Sequence, residues 1–152
     1  STPIKSSAAS DVYKRQVLTF SDGSVATIEG TVNVHPENLE ETLYLFGESG
    51  TVKIGGTSTN TIDVWDFADE TESDRAIKGL EEQTSNVYGN GHTALFADVA
   101  EAIGQHRAPR VDAKAGRDAL EVVLAMYKSQ KTGLPVKLPL QDFASTDMEG
   151  AF

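Results

Sequence analysis

The order of the periodic segments is the feature that most constrains the fold, because strand-like runs come first and two helix-like stretches follow. Residues 24–34 alternate apolar and polar side chains, with Ala26, Ile28 and Val32 on one face, which is the period of a half-buried strand. Just before them, Asp22 and Gly23 predict a hairpin turn. Further β-rich runs occupy residues 17–20, 42–46, 51–54 and 61–67.

The second part of the chain carries the period of helices. Residues 93–105 and 112–131 repeat apolar side chains at three- and four-residue intervals, as core-facing helices do. Asp112 is a candidate N-cap for the second helix, Gly133 lies just past its end, and Pro135 follows. The acidic residues 68–83 predict a surface loop or short helix, and residues 136–138 are a candidate last edge strand.

Together these segments predict an α+β fold. Strands joined by turns pair antiparallel, and strands grouped before helices favour helices segregated to one side of a sheet. We therefore expect one domain over residues 17–140, with an open, mostly antiparallel sheet and two main helices packed on one face. The polar, threonine-rich second face of residues 24–34 is suited to solvent or to another subunit.

The two ends of the chain differ from this pattern. Residues 1–16 have neither a strand nor a helix period, and part of them looks like translated sequencing-adapter sequence. We expect a disordered, non-native segment here, with the natural protein beginning near Val17; an ordinary frayed terminus is the alternative. Residues 141–152 are expected to form a polar tail.

Composition excludes several classes of function. With no cysteine among 152 residues, disulfides, thiolate metal sites and a cysteine nucleophile are excluded, and a cytoplasmic location fits. The formal net charge of −10 repels phosphate backbones, so no nucleic-acid partner is expected. No apolar run approaches the roughly 18 residues of a membrane span, so no membrane partner is expected.

Four segments, in this order and spacing, carry a resemblance to a known family. The chain resembles the C-terminal domain of the glucose–fructose oxidoreductase, inositol dehydrogenase and MocA-like oxidoreductases. Residues 34–43 and 86–92 are further similar to the branch that oxidises the 3-position of UDP-N-acetylated sugars. The four segments are residues 18–24 (Leu-Thr-Phe-Ser-Asp-Gly-Ser), 38–54 (Asn-Leu-Glu-Glu-Thr-Leu through Val-Lys-Ile), 88–98 (Tyr-Gly-Asn-Gly-His-Thr through Asp) and 110–139 (Arg-Val-Asp-Ala through Lys-Leu-Pro).

The resemblance implies a protein that works together with a second domain. Family members begin with a Rossmann domain that binds NAD or NADP, and they carry a catalytic lysine in a Glu-Lys-Pro motif and an Asp/His pair. None of these motifs occurs in this sequence. The resemblance thus implies no catalytic residue in this chain, a cofactor bound by a missing N-terminal domain, and no activity for the chain alone. It also implies a sugar or nucleotide-sugar substrate and a homo-oligomer formed through the exposed sheet face.

The same resemblance directs attention to the start of the first long helix. His92 is suited to hydrogen-bond sugar hydroxyls, while Tyr88 and Asn86 offer an aromatic face and an amide to a sugar or uracil. Asn33 and Asn38 are outer candidates for substrate contact. For His92, the alternative interpretation is a helix N-cap or a packed histidine without a catalytic role. For Tyr88 and Asn86, it is a loop docked on the core.

Several other patterns favour structural interpretations. Residues 89–94 match G-x-G-x-x-A, but a dinucleotide fingerprint needs a buried parallel strand just before it, and residues 81–88 are polar. His35 precedes a proline that ends a strand, His106 is expected to meet a helix dipole, and Trp65 is expected to pack. The acidic clusters at 40–41 and 69–74 lack partners at defined spacing, so no metal site is predicted.

Three functions remain open from the sequence. The first is the dehydrogenase half described above, and the second is a stand-alone pairing or scaffold module without sugar affinity. The third is an independent hydrolase that uses Glu40 and Glu41 as its two carboxylates.

Overall fold

The computed structural model describes residues 13–84 and 88–150. Over these residues it has two small antiparallel sheets and three α-helices, so the predicted α+β class and antiparallel pairing are confirmed, although the strands form two sheets instead of one. The strands are β1 (Tyr13–Thr19), β2 (Val25–Thr31), β3 (Leu43–Phe46), β4 (Gly50–Gly55) and β5 (Thr61–Phe67). The helices are α1 (Glu72–Ile77), α2 (Gly91–Gln105), α3 (Ala113–Thr132) and a 3-10 turn at Ser145–Met148.

The chain divides into two compact units. The first unit consists of Ser1–Asn33 and Ala108–Phe152, and in its described part it holds the β1–β2 hairpin, α3 and the 3-10 turn. The second unit is Val34–Arg107, which holds β3, β4, β5, α1 and α2.

The hairpin of the first unit forms where the Asp-Gly pair predicts it. Gly23 has a φ of +88°, which glycine adopts without strain, and the Ser24 N–H donates to Asp22 Oδ1 at 2.9 Å. Strand β1 begins at Tyr13, four residues before the predicted start, because residues 13–16 pair with residues 28–31 of β2. The hydrogen-bonded pairing of β1 with β2 thus extends four residues before Val17, where the apolar run of this strand starts.

Helix α3 begins and ends at the residues that its sequence indicates. The Asp112 side chain accepts a hydrogen bond from the Ala115 N–H at 2.8 Å, as an N-cap does. Gly133 takes the left-handed conformation with a φ of +68°, and its N–H donates to the Ser129 carbonyl at 2.8 Å. Local capping chemistry therefore sets both ends of this helix.

The C-terminal segment is in contact with α3. Lys128 Nζ donates to the Gln141 carbonyl at 2.7 Å, and the Leu140 N–H donates to Glu121 Oε1 at 2.7 Å. Met148, in the 3-10 turn that packs against α3, is 3% exposed. The expected polar tail thus supplies an apolar side chain to the core of the first unit.

The candidate strand at residues 136–138 is wrong, because the structure has no strand there. Pro135 and Pro139 flank the segment, and neither can donate a backbone hydrogen bond to a ladder. The chain instead runs on irregularly to the segment that contacts α3.

The sheet of the second unit has the order β3-β4-β5. Val52, at 7% exposure, lies at its centre and pairs with Leu45 on one side and Trp65 on the other. The pairing of β4 with β5 is interrupted once, since Lys53 pairs with Val64 whereas Ile54 pairs with Ile62. One extra residue on β5 therefore forms a β-bulge, and Ile62 shares a face with Trp65.

Helix α1 packs on β5 in the acidic segment for which a loop or short helix is expected. The indole N–H of Trp65 donates to Asp74 Oδ1 at 3.0 Å, and the same carboxylate accepts from the Thr71 N–H at 2.8 Å. Lys78 Nζ forms ion pairs with Asp66 Oδ1 of β5 at 2.7 Å and with Glu70 Oε1 at 2.8 Å. Trp65 therefore has a structural role, as expected, and its hydrogen bond to Asp74 is part of that role.

Helix α2 ends at Gln105, and its C-cap residue His106 takes a left-handed conformation with a φ of +53°. Arg107 then folds back onto the last turns and joins Asp98 at 2.8 Å. Ala102 is buried, whereas Phe96 is 67% exposed and Ile103 is also exposed. Much of the apolar stripe that predicts this helix is thus uncovered in this chain.

Candidate ligand-binding site

The start of α2 displays two of the residues that the sequence singles out. Tyr88 is 77% exposed and His92 is exposed, on either side of the first residue of the helix. Between them, Gly89 has a φ of +60°, and a Cβ built there would lie 3.4 Å from Ser58 Oγ. A glycine thus lets the backbone turn into the helix close to the β4–β5 turn.

Asn90 is the N-cap residue of α2, but its side chain makes no capping hydrogen bond. Its Nδ2 instead donates to Glu82 Oε1 at 2.9 Å and to the Gln83 carbonyl at 3.1 Å. The side chain therefore ties the start of the helix to residues 82–83. The first turn of α2 contains no acidic residue, so no carboxylate of that turn accepts from the first backbone N–H groups of the helix.

Residues 82–84 are in turn held by the β4–β5 turn. Asn60 Nδ2 donates to the Glu82 carbonyl at 2.8 Å, and the Glu82 N–H donates to the Asn60 carbonyl at 2.8 Å. The Ser58 hydroxyl lies 3.2 Å from Thr84 Oγ1. We name this set of side chains, Ser58, Asn60, Glu82, Thr84 and Asn90, the amide clamp.

Sequence reasoning missed the amide clamp. Asn60 and Asn90 both lie in turns that contain glycine. Asparagine is common in such turns because its side chain bonds to nearby backbone, so residue type alone indicates only turn chemistry. The contact that matters joins Asn60 to Glu82, 22 positions apart, and no periodicity marks it. The only local signal is an asparagine at both turns.

The other candidate residues are distributed over both units and one segment outside the described residues. Asn38 is exposed in the segment before β3, in the same unit as Tyr88 and His92. Asn33 belongs to the first unit, where its N–H donates to Thr31 Oγ1 at 3.1 Å. Asn86 lies outside the described residues. A role of these five residues in substrate binding remains a prediction.

A second polar group lies on the sheet of the same unit. Lys53 Nζ contacts Asp63 Oδ2 at 2.7 Å, and Thr61 Oγ1 donates to Asp63 Oδ1 at 2.8 Å. The hydrogen bond from Lys53, with that from Thr61, lowers the pKa of the Asp63 carboxyl, and the pKa of Lys53 is raised by the same partner. Both groups stay charged at neutral pH, so this pair is suited to structure and not to proton transfer.

The geometry before α2 does not fit a dinucleotide. A dinucleotide fingerprint joins a parallel strand directly to the helix, whereas the sheet of this unit is antiparallel. In the described part of the approach to α2, Glu81 makes a single antiparallel bridge to Thr61. The motif at residues 89–94 is therefore a tight turn into a helix, and the residues present do not hold NAD.

The acidic cluster at residues 69–74 contributes to the fold. Asp74 closes the capping box of α1, whose N-cap is Thr71, and Glu70 pairs with Arg75 and Lys78. Within residues 13–84 and 88–150, no three histidine or acidic side chains come together as a group that would hold a metal ion. In the same described ranges, no helix has the length and apolar character needed to cross a membrane.

Comparison with known proteins identifies the class. The family model described as the C-terminal α/β domain of the oxidoreductase family that includes glucose–fructose oxidoreductase, inositol dehydrogenase and MocA matches residues 10–138. This chain belongs to that family. No curated protein matches the sequence.

Two solved structures are similar to the chain over most of its length. The WlbA dehydrogenase of Bordetella pertussis, solved with NADH and UDP-GlcNAcA, is 30% identical over 82% of this chain, with a TM-score of 0.68. The WlbA dehydrogenase of Chromobacterium violaceum, solved with the same two ligands, is 28% identical over 83% of this chain, also with a TM-score of 0.68. The chain spans 34% of the length of each of these proteins.

Proposed function

We propose that this chain is the substrate-binding and oligomerisation half of an NAD(P)-dependent dehydrogenase acting on a sugar, and specifically on a UDP-N-acetyl sugar or its uronate. The observation that carries the proposal is the similarity, at 30% identity over 82% of the chain, to a dehydrogenase solved with NADH and UDP-GlcNAcA. The nicotinamide cofactor supplies the hydride chemistry, and a dinucleotide domain outside this chain would hold it. The cysteine-free composition favours action in the cytoplasm.

In this proposal the residues of the chain bind and orient the substrate. The exposed ring of Tyr88 offers a flat apolar face to uracil or to a sugar ring, and the imidazole of His92 hydrogen-bonds a sugar hydroxyl. The first N–H groups of α2 favour the diphosphate, which otherwise meets a chain of net charge −10. Asn86 adds an amide to these main contacts, and Asn38 and Asn33 are the outer candidates for substrate contact.

An NMR titration of the purified chain with UDP-N-acetylglucosamine tests the binding half of the proposal. We expect saturable shifts at His92 and its neighbours, and a loss of these shifts in Tyr88→Ala. Leu134→Ala, an exposed change in the other unit, is the matched control and should titrate like the wild type. Absence of shifts at millimolar ligand contradicts autonomous sugar binding by this chain.

An activity assay tests the dehydrogenase half of the proposal. The chain alone should reduce no NAD or NADP with UDP-N-acetylglucosamine or its uronate. We expect activity when the chain is fused after the dinucleotide-binding part of the Bordetella pertussis WlbA dehydrogenase. NADH formation, followed at 340 nm, should then have a rate on the order of that of WlbA, and His92→Ala should lower this rate. A fusion that folds and binds NADH but never turns over contradicts the assignment.

The alternative is a non-catalytic protein-pairing module. One observation favours pairing in either case, because Tyr44 and Phe46 stack on one face of the exposed strand β3, with ring centroids 6.2 Å apart. Sedimentation of the chain should show a homo-oligomer that Phe46→Ser weakens. An oligomer with no sugar affinity and an inactive fusion would favour the module over the dehydrogenase.

A further inference from the structure

The start of α2 is held differently from the starts of α1 and α3. Thr71 caps α1 and Asp112 caps α3 through their own side chains, whereas Asn90 makes no capping bond within α2. A helix without a side-chain cap has free N–H groups and a start that frays readily. The place where α2 begins therefore depends on the groups to which Asn90 is tied.

Those groups form a continuous path to the β4–β5 turn. Asn90 holds the Glu82 carboxylate, and Asn60 holds the Glu82 backbone on both its N–H and its carbonyl side. Glu82 is thus the link between the two asparagines. Because β4 and β5 are paired in the sheet, this path connects the start of α2 to a rigid part of the same unit.

Asn60 is itself fixed in its turn. Its Oδ1 accepts from the Ser58 N–H at 3.3 Å, and a Cβ built on Gly56 would lie 2.2 Å from that oxygen. Gly56 has a φ of +88°, so both its conformation and its missing side chain make room for the amide of Asn60. The amide therefore uses its acceptor within the turn and its donor across to Glu82.

We propose that Asn60 is a positioning residue, which through Glu82 and Asn90 fixes the start of α2 and so the places of Tyr88 and His92 towards a UDP-sugar. This inference rests on the proposed function for its ligand, and on the amide clamp alone for its geometry. Asn60 touches neither the sugar nor the cofactor in this proposal. Its effect is transmitted to the start of α2 through the hydrogen bonds of Glu82 and Asn90.

Two variants separate the halves of the amide. Asn60→Ala removes both the donor and the acceptor. Asn60→Asp keeps an oxygen for the Ser58 N–H but turns the other position into an oxygen that faces the Glu82 carbonyl, so the donor is lost. Thr71→Ala is the matched control, because it removes the cap of α1 elsewhere in the same unit and leaves the amide clamp intact.

The experiment records two-dimensional NMR spectra of the wild type and the three variants, first without ligand and then in a titration with UDP-N-acetylglucosamine. Both Asn60 variants should displace the ligand-free signals of residues 89–93 and weaken binding about fivefold, the effect expected of one hydrogen bond. Thr71→Ala should neither displace these signals nor weaken binding, even where it lowers the melting temperature as much as the Asn60 variants do. Asn60→Asp behaving like the wild type would overturn the role of the donor to Glu82.

The outcomes also separate this inference from the proposed function. Unchanged signals at residues 89–93 in Asn60→Ala, with wild-type affinity, would overturn the positioning role and leave the proposed function in place. A wild type that never binds the sugar would contradict sugar binding by this chain, which is the half of the proposed function that the titration tests, together with the binding part of this inference. Displaced ligand-free signals would in that case still support the geometric part.

Discussion

The indole N–H of Trp65 donates to Asp74 Oδ1 across 3.0 Å, which joins strand β5 to helix α1 through one carboxylate. The other oxygen of that carboxylate accepts from the Thr71 backbone N–H at 2.8 Å. A single side chain thus closes the capping box of α1 and docks the helix on the sheet. Trp65 is the sole tryptophan of the chain, so its fluorescence reports this docking.

Asp74→Ala should release α1 from β5. The substitution removes the carboxylate that closes the capping box of α1 and leaves the Trp65 N–H without its protein acceptor, so the indole becomes more hydrated. We expect a red shift of the fluorescence emission maximum and a lower urea midpoint. Glu72→Ala, in the same first turn of the helix, is the control and should leave the emission maximum in place; an unshifted Asp74→Ala would contradict the docking role.

The same carboxylate predicts a dependence of stability on pH. Hydrogen bonds from Thr71, and then from Trp65, lower the pKa of Asp74 from 3.8 to about 2. Because the folded-state pKa lies below the unfolded one, the stabilisation is fully present above about pH 4 and is lost as the pH falls towards about 2.

Urea unfolding followed by Trp65 fluorescence measures this dependence. The difference in urea midpoint between the wild type and Asp74→Asn should be constant from about pH 5 to 7 and should shrink between about pH 4 and 2. A difference that grows on acidification would show that the sign of the linkage is wrong.

Gly55→Ala should disturb the bulged part of β5. A Cβ at this position would lie 2.6 Å from Asp63 Oδ2, so the carboxylate must move away from Lys53. We expect a loss of about 1 kcal/mol or less in the free energy of unfolding, because the clash displaces the end of a flexible side chain and weakens its ion pair with Lys53.

The matched control for this change is Gly30→Ala, where no atom of the described part of the chain, its two neighbours in sequence aside, lies within 4 Å of the added carbon. Thermal unfolding should show a clearly smaller effect for Gly30→Ala. Equal losses at the two glycines would mean that the contact with Asp63 does not decide the cost.

Met148→Ala should destabilise the first unit. The side chain is 3% exposed in the 3-10 turn that packs on α3, so its removal leaves a cavity and costs about 2 kcal/mol or more. Leu134→Ala, at a side chain that is 64% exposed, should cost much less in chemical denaturation. A neutral Met148→Ala would indicate that the C-terminal segment does not contribute to the core.

Short-range chemistry is what the sequence predicts well in this chain. The ends of α3 follow from Asp112 and Gly133, whose side chain and conformational freedom act within four residues. The turn at Gly23 and the pairing of β3 with β4 follow in the same way from turn residues between β-rich runs. Each of these features depends on neighbours along the chain, which a sequence displays directly.

The features that escape prediction depend on distant partners. Met148 is an ordinary residue in a polar segment until α3 covers it, and Asn60 is an ordinary turn residue until it meets Glu82. For the candidate site, the family resemblance directs attention to Tyr88 and His92 beside a helix start, but nothing in the sequence indicates the amide clamp next to them. Tertiary contacts of this kind leave no periodic pattern in the sequence.

The β-bulge in β5 has a consequence for comparisons among relatives. Asp63 is one residue more than β4 can pair with, so removing it would keep Ile62 and Trp65 on their present face and make the strand regular. The strand therefore tolerates a change of length at this one position without turning any neighbour over. In an alignment of this family, a one-residue gap in this strand belongs at Asp63, and placing it outside the strand would exchange inward and outward positions.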